Sequence, residues 1–121
     1  MNVFFSLLPT VVLTVYGQVV TKWRVGHFAE RTAGMPLLDR LFVYIFDPFI
    51  ISAYVFTFAA SLAWMIVVEK YPLSLVYPLY IGTTILIVTA LGILLFREPF
   101  SIPRIISIAL IISGIVIGLR N

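Results

Sequence analysis

The sequence predicts an all-α integral membrane protein, with four transmembrane helices and a short interfacial helix between the first and the second. Three observations carry this expectation. Hydrophobic residues fill 62% of the 121 positions and charged residues only 11%, too little polarity to cover the surface of a small soluble fold. Four runs reach the roughly 20 mostly apolar residues that a helix needs to cross a hydrocarbon core about 30 Å thick. The later connections are short and contain Pro, which ends helices and makes their neighbours antiparallel.

Taken in order, the four spans are expected at 3–22, 48–68, 74–96 and 102–119, making one transmembrane domain of the whole chain. The first three are free of charge to within a residue of their ends, and the fourth carries one charge, Arg104, near its start. Membrane strands are about half this length and alternate in polarity, so the runs read as helices. The N-terminal run lacks the basic leader and the small-residue cleavage site of a signal peptide and is expected to stay in the mature chain. "EKYPL" joins the second and third spans, and "REPFSIP" the third and fourth. The first connection is longer. Within it, residues 36–46 place Leu37, Leu38, Leu41, Phe42 and Ile45 at helical spacing, with Asp39 and Arg40 off that stripe. This pattern predicts an amphipathic helix lying in the membrane interface; an extension of the second span is the alternative.

Lys22, Arg24, Arg31, Arg40, Arg97 and Arg104 fall in or beside the first and third connections, whereas Lys70 and Arg120 fall on the other side. The excess of cations places the first and third connections in the cytoplasm and both termini outside. The chain has no cysteine and one histidine, His27, so no disulfide and no Cys- or His-cluster metal site is expected. No triad, phosphate-cradling loop or pair of buried carboxylates is present, and neither an enzyme, a cofactor nor a nucleic-acid partner is expected.

The residues able to do chemistry lie on the first and third spans. Ser6, Thr10, Thr14, Gly17, Gln18 and Thr21 recur at steps of three and four and so share one helix face. The Gln18 amide has four hydrogen-bonding sites that hydrocarbon cannot satisfy, which turns this face toward other helices or a wet cavity. Helix-to-helix bonding and a substrate path are both open readings of the stripe. Tyr77, Tyr80 and Thr84 lie close to one face of the third span, with Pro78 between them, and Trp64 on the second span can add an aromatic wall. Interfacial anchoring and packing are the alternatives for these rings. Lys22, Arg24, Arg97 and Arg104 are assigned to one membrane face. They are either snorkelling anchors or, together, a basic lip for a phosphate headgroup. Gly114 and Gly118 form a GxxxG pair that Ala109 and Ser113 extend, suited to close approach of a helix from the same chain or from a second subunit. No acidic residue sits in mid-span, since Glu69 and Glu98 are both at helix ends. A proton-coupled cation exporter needs a buried carboxylate for which proton and cargo compete.

Three segments, "GQVVTK" on the first span, "PLSLVYPLY" entering the third and "FREPFSIPRIISIALIISGIVIGL" through the fourth, resemble the small multidrug resistance-like branch of the drug/metabolite transporter superfamily. Within it, the chain is most similar to the flippase subunits that move undecaprenyl-phosphate-linked aminoarabinose. These share a Gly-Gln-x-x-x-Lys pattern (here Gly17, Gln18 and Lys22), a Tyr-Pro (Tyr77, Pro78) and a Glu-Pro (Glu98, Pro99). The drug exporters of the family carry a glutamate where Thr14 stands here. The resemblance implies a dimeric flippase of the bacterial inner membrane, homomeric or heteromeric, whose substrate is a polyprenyl-phosphate-linked sugar. Lys22, Arg24, Arg97 and Arg104 would then receive the phosphate. Thr14, Gly17, Gln18 and Thr21, facing Trp64, Tyr77 and Tyr80, would accompany the sugar. Alternatives are a small-cation or drug exporter using Glu69 or Glu98, and a non-transporting accessory subunit of a membrane glycosyltransferase system.

Overall fold

The computed structural model describes residues 2–119, so Arg120, counted above on the outer side, lies outside the described residues. The chain forms α1 (Asn2–His27), α2 (Ala29–Thr32), α3 (Leu37–Ile45), α4 (Pro48–Lys70), α5 (Leu73–Phe96) and α6 (Ile102–Leu119), with no strand among the described residues. Helices α1, α4, α5 and α6 are long and apolar enough to cross a membrane.

The end of the first span differs from the sequence reading and one short helix is added to it, while the separate helix expected before the second span is present. Helix α1 runs to His27 rather than ending near residue 22, because nothing in "WRVGH" breaks a helix and charged residues extend it where it leaves the hydrocarbon. The one-turn α2 follows. Helix α3 is separate from α4. Asp47 takes an extended conformation between them (φ −73°, ψ 127°), and its carboxylate accepts a hydrogen bond from the Ile50 amide at 3.1 Å, with Pro48 in the first helical position. That is an N-cap followed by the residue whose missing N–H a helix start does not need. Upstream, Gly34 supplies the left-handed turn (φ 81°) that leads into Pro36 and α3. Leu37, Leu38, Leu41, Phe42 and Ile45 of α3 are all exposed, an apolar stripe that suits the membrane interface.

Helix α1 is the hub. Leu7, Thr10, Val11, Thr14 and Gly17 are buried along it at steps of three and four. Helix α4 packs along one side of α1 and α5 along another, while α4 and α5 barely touch beyond the turn that joins them. Helix α4 turns Ile50, Ala53, Ala60 and Val67 inward. A Cβ on Gly17 would stand 2.5 Å from the Thr57 hydroxyl and 3.2 Å from the Ala53 carbonyl oxygen, so the α1–α4 approach depends on a missing side chain. The core proper is Leu7, Val11, Val67, Val76 and Leu79, shared by α1, α4 and α5. Helix α6 leans mainly on α5 and buries none of its described residues. Large apolar side chains such as Phe5, Leu94 and Ile102 are 72–75% exposed, as lipid-facing residues are.

At the end of the bundle where α1 finishes, Arg24 donates two hydrogen bonds to Asp47, at 3.0 and 2.8 Å. The guanidinium also lies 4.8–5.0 Å from the ring centres of Trp23, Phe28 and Phe49. Both side chains are largely buried, at 13% and 3% exposed. Asp47 thus ties α4 to α1 with both carboxylate oxygens and caps α4 with one of them. The Arg24 hydrogen bond holds its carboxyl below the ordinary value of 3.8, against the opposing effect of burial.

Two stability predictions follow from these contacts. Gly17→Val should cost about 1–3 kcal/mol, the usual penalty for overpacking, read as easier unfolding of the purified protein in a graded detergent series. Asp47→Ala removes a cap and two charge-assisted bonds and should cost about 2–3 kcal/mol. Because the folded-state carboxyl is the more acidic, this stabilisation is complete above pH 3.8 and is lost as the pH falls below it. Wild type should therefore lose stability on acidification through that window and Asp47→Ala should not.

Candidate functional site

The weak meeting of α4 and α5 leaves a polar cavity of about 250 Å³ between them, with α1 as its floor. Helix α1 contributes Thr10, Thr14 and Gln18, α4 contributes Thr57, Ala60, Ser61 and Trp64, and α5 contributes Tyr77 and Tyr80. The antiparallel order of spans puts this site within the transmembrane length, reaching along α1 from Thr10 to Gln18, about one turn before Lys22. The Thr14 and Tyr80 hydroxyls share a hydrogen bond of 3.0 Å. Thr57 returns its hydroxyl to the Ala53 carbonyl at 2.8 Å and Ser61 to that of Thr57 at 3.3 Å, the cheap way for such groups to sit in an apolar span. The Thr10 hydroxyl is buried without a partner, and the Gln18 side chain is exposed to the cavity. One wall is aromatic. Ring centres lie 5.1 Å apart for Trp64 and Tyr80, 6.0 Å for Trp64 and Tyr77, and 6.4 Å for Tyr77 and Tyr80. Trp64 and Tyr77 also border a second, wider hollow toward Leu73, Ser74 and Pro78, so the cavity adjoins an opening at the α4–α5 turn. No acidic side chain lines either space.

Of the path residues expected from sequence, Thr14, Gln18, Trp64, Tyr77 and Tyr80 line this cavity. Gly17 instead faces α4 as a helix contact, and Thr21 is half-buried beyond the cavity's end. Thr57 and Ala60 were not singled out from sequence. The signal for Thr57 was the small and polar series Ala53, Thr57, Ser61, Trp64 at steps of four, four and three, and Ala60 lies one turn before Trp64 on the same side.

The four cations separate by environment. Arg24 is committed to Asp47 and the three rings around it. Lys22 is exposed and lies 3.6 Å from Glu98. Arg104 donates to the Pro99 carbonyl at 2.8 Å while remaining exposed, and its own amide donates to the Ser101 hydroxyl at 3.3 Å. Arg97 is exposed and takes a left-handed conformation, φ 53°, at the end of α5. The Arg24–Asp47 and Lys22–Glu98 pairs bring the first and third connections to one end of the bundle. On α6, Ala109, Ser113, Gly114 and Gly118 are all exposed. Gly82 of α5 is the glycine that receives α6, through Ile115, while Gly114 and Gly118 border an open groove of about 280 Å³ beside Ser74 and Pro78.

Comparison with known proteins agrees with this architecture. The chain is 25% identical over 115 residues to a protein of Pseudomonas fluorescens described as a probable 4-amino-4-deoxy-L-arabinose-phosphoundecaprenol flippase subunit ArnF, covering 93% of this chain and 84% of that one. It is 26% identical over 113 residues to the corresponding probable subunit ArnE of Pseudomonas savastanoi pv. phaseolicola, covering 93% and 92%. No solved structure matches. The family model for Small Multidrug Resistance protein matches residues 44–111, more than half of the chain. This chain therefore belongs to the Small Multidrug Resistance protein family, and is a multi-pass transporter of the bacterial inner membrane rather than an enzyme.

Proposed function

We propose that this chain moves a polyprenyl-phosphate-linked sugar across the membrane, as one subunit of a dimer. The observation that carries the reading is the cavity between α1, α4 and α5. It offers hydroxyls, one amide and an aromatic wall at membrane depth, and no carboxylate. Hydroxyl and amide groups exchange hydrogen bonds with sugar hydroxyls, and aromatic rings cover the apolar face of a sugar ring. Coupled export of a cation needs an acid in the same place. Thr14, bonded to Tyr80, has no charge to give. The two relatives described as aminoarabinose-phosphoundecaprenol flippase subunits support the substrate class and the subunit role.

Each part of the substrate has a counterpart. Lys22, Arg97 and Arg104, at the end assigned to the cytoplasm, meet the phosphate, while Arg24 braces the helix that presents Lys22. Thr14, Gln18, Trp64, Tyr77 and Tyr80, with Thr10, Thr57 and Ser61, receive the sugar. The prenyl chain stays in lipid, along surfaces such as the apolar groove of about 230 Å³ formed by Leu7, Leu8, Val11, Val12 and their neighbours on α1 with Ile87 of α5. An unaccompanied phosphate in hydrocarbon faces a penalty of several kcal/mol or more even after relaxation; the polar path needs only to lower that barrier. Exposed Ala109, Ser113, Gly114 and Gly118 on the unburied α6 form the contact with the second subunit.

The reading is tested in vesicles carrying the protein, with and without a partner subunit, loaded with a labelled polyprenyl-phosphate sugar. Transbilayer movement should exceed that of protein-free vesicles, and equal rates with the partner present would sink the proposal. Gln18→Ala and Trp64→Ala should each slow movement about tenfold, the equivalent of one lost hydrogen bond or stacking contact in a desolvated site. Lys22→Ala should slow it more than Arg104→Ala, because Arg104 spends part of its guanidinium on the Pro99 carbonyl. Equal effects would reduce Lys22 to an anchor.

A further inference from the structure

The connection that follows α5 is built to hold one carboxylate in one place. Helix α5 stops at Phe96, and Arg97 takes the left-handed conformation, φ 53° and ψ 37°, that a non-glycine residue adopts only at some cost. The turn sends both the Arg97 and the Glu98 amides back to the Gly92 carbonyl, the latter at 3.4 Å, and Pro99 prevents any resumption of the helix. The Glu98 carboxylate then lies across Gly92, where any Cβ would collide with it. From that seat it reaches the Lys22 ammonium at 3.6 Å. A glycine, a left-handed turn and a proline therefore converge on an anion beside Lys22.

The two ion pairs at this end of the molecule are opposites. Arg24–Asp47 is bidentate, ringed by aromatics and largely buried. Lys22–Glu98 is a single long contact whose side chains are 60% and 42% exposed. Exposed pairs of this kind contribute little and exchange readily. We propose that Glu98 is a resident anion, occupying Lys22 until a phosphate group displaces it and recapturing Lys22 when the phosphate leaves. This rests on the reading of Lys22 as a phosphate residue and adds to it the device that keeps the site from holding phosphate too long. The ligand class is an organic phosphate, and the lipid headgroup is the source the membrane setting favours.

The test uses the full chain in phosphatidylcholine nanodiscs, titrated with farnesyl phosphate and, separately, with inorganic phosphate. Glu98→Gln should bind farnesyl phosphate roughly three- to fivefold tighter than wild type, the strength of an exposed ion pair written as an affinity ratio. Gly92→Ala, whose methyl takes the carboxylate's seat, should shift affinity in the same direction. In a Lys22→Gln background the gain should vanish. A gain confined to farnesyl phosphate assigns the exchange to a lipid headgroup, and an equal gain for inorganic phosphate assigns it to phosphate as such; both support the device. Unchanged or weaker binding by Glu98→Gln, a gain that survives Lys22→Gln, or no saturable binding by either protein would overturn it. Vesicle transport is read independently. A gain in affinity without any movement of lipid-linked sugar would defeat the flippase reading and leave the exchange intact.

Discussion

Hydrocarbon offers no hydrogen bond, and the arrangement of every helix here follows from how the chain meets that shortage. Polar groups in the spans must find partners in the protein or in a space that admits water or substrate. Helix α1 gathers its hydroxyls and its one amide on the inward side and becomes the surface on which α4 and α5 are laid. Thr14 meets Tyr80 across the α1–α5 contact. Tyr16, on another side of α1, shares a 3.0 Å hydrogen bond with Ser52 of α4. Gly17 lets α4 come close enough for such contacts to form. Where α4 and α5 diverge, the polar groups are left facing one another across a cavity. The site is the space that this packing leaves open, and the buried Thr10 hydroxyl remains in it without a hydrogen-bond partner.

Much of this was legible in sequence because lipid imposes simple rules. Span length identified four helices, and i, i+3, i+4 spacing identified both the interfacial helix and the stripe on α1. The pairing of charges was not legible, since it is decided by tertiary contact. Lys22 and Arg24 look alike in the sequence, two residues apart on a helix end. In the fold one meets a buried cap and the other an exposed carboxylate from a distant connection. Part of the difference was written locally. "DP" before an apolar run is an N-cap and first-turn signal, which marks Asp47 as a carboxylate held in place before its partner is known. The seat of Glu98 had no such mark, because a glycine inside an apolar run looks like any small residue until the chain folds back on it.

The cavity's size bears on the assembly. At about 250 Å³ it falls just under the roughly 300–1,000 Å³ of typical ligand pockets, and it is open on one side. One chain therefore supplies a floor and two walls. Helix α6 meanwhile packs mainly on α5 and keeps its small residues uncovered, although Gly17 and Gly82 show that this fold uses glycine where helices press together. On the proposed reading these are two consequences of one design. A helix pair that closed the bundle on itself would fill the polar space and leave nothing for a substrate. A bundle left open needs a second subunit to complete the wall, and α6 offers it a contact without drawing on the three helices that form the site.

The two ion pairs divide a further requirement between them. A path for a charged lipid needs a frame that does not move and a point of attachment that does. Arg24–Asp47 fixes the register of α1 against α4 through a two-point contact, with three aromatic rings close about the guanidinium. Lys22 sits two residues away on the same rigid helix, with a partner held at 3.6 Å in open surroundings. Rigidity in the first pair gives the second its value, because an ammonium on a frayed helix end would be an anchor and nothing more. The wide end of the cavity, near Trp64 and Tyr77, lies at the opposite side of the span. On the proposed reading, attachment and release are therefore separated along α1, with Gln18 and Thr14 between them.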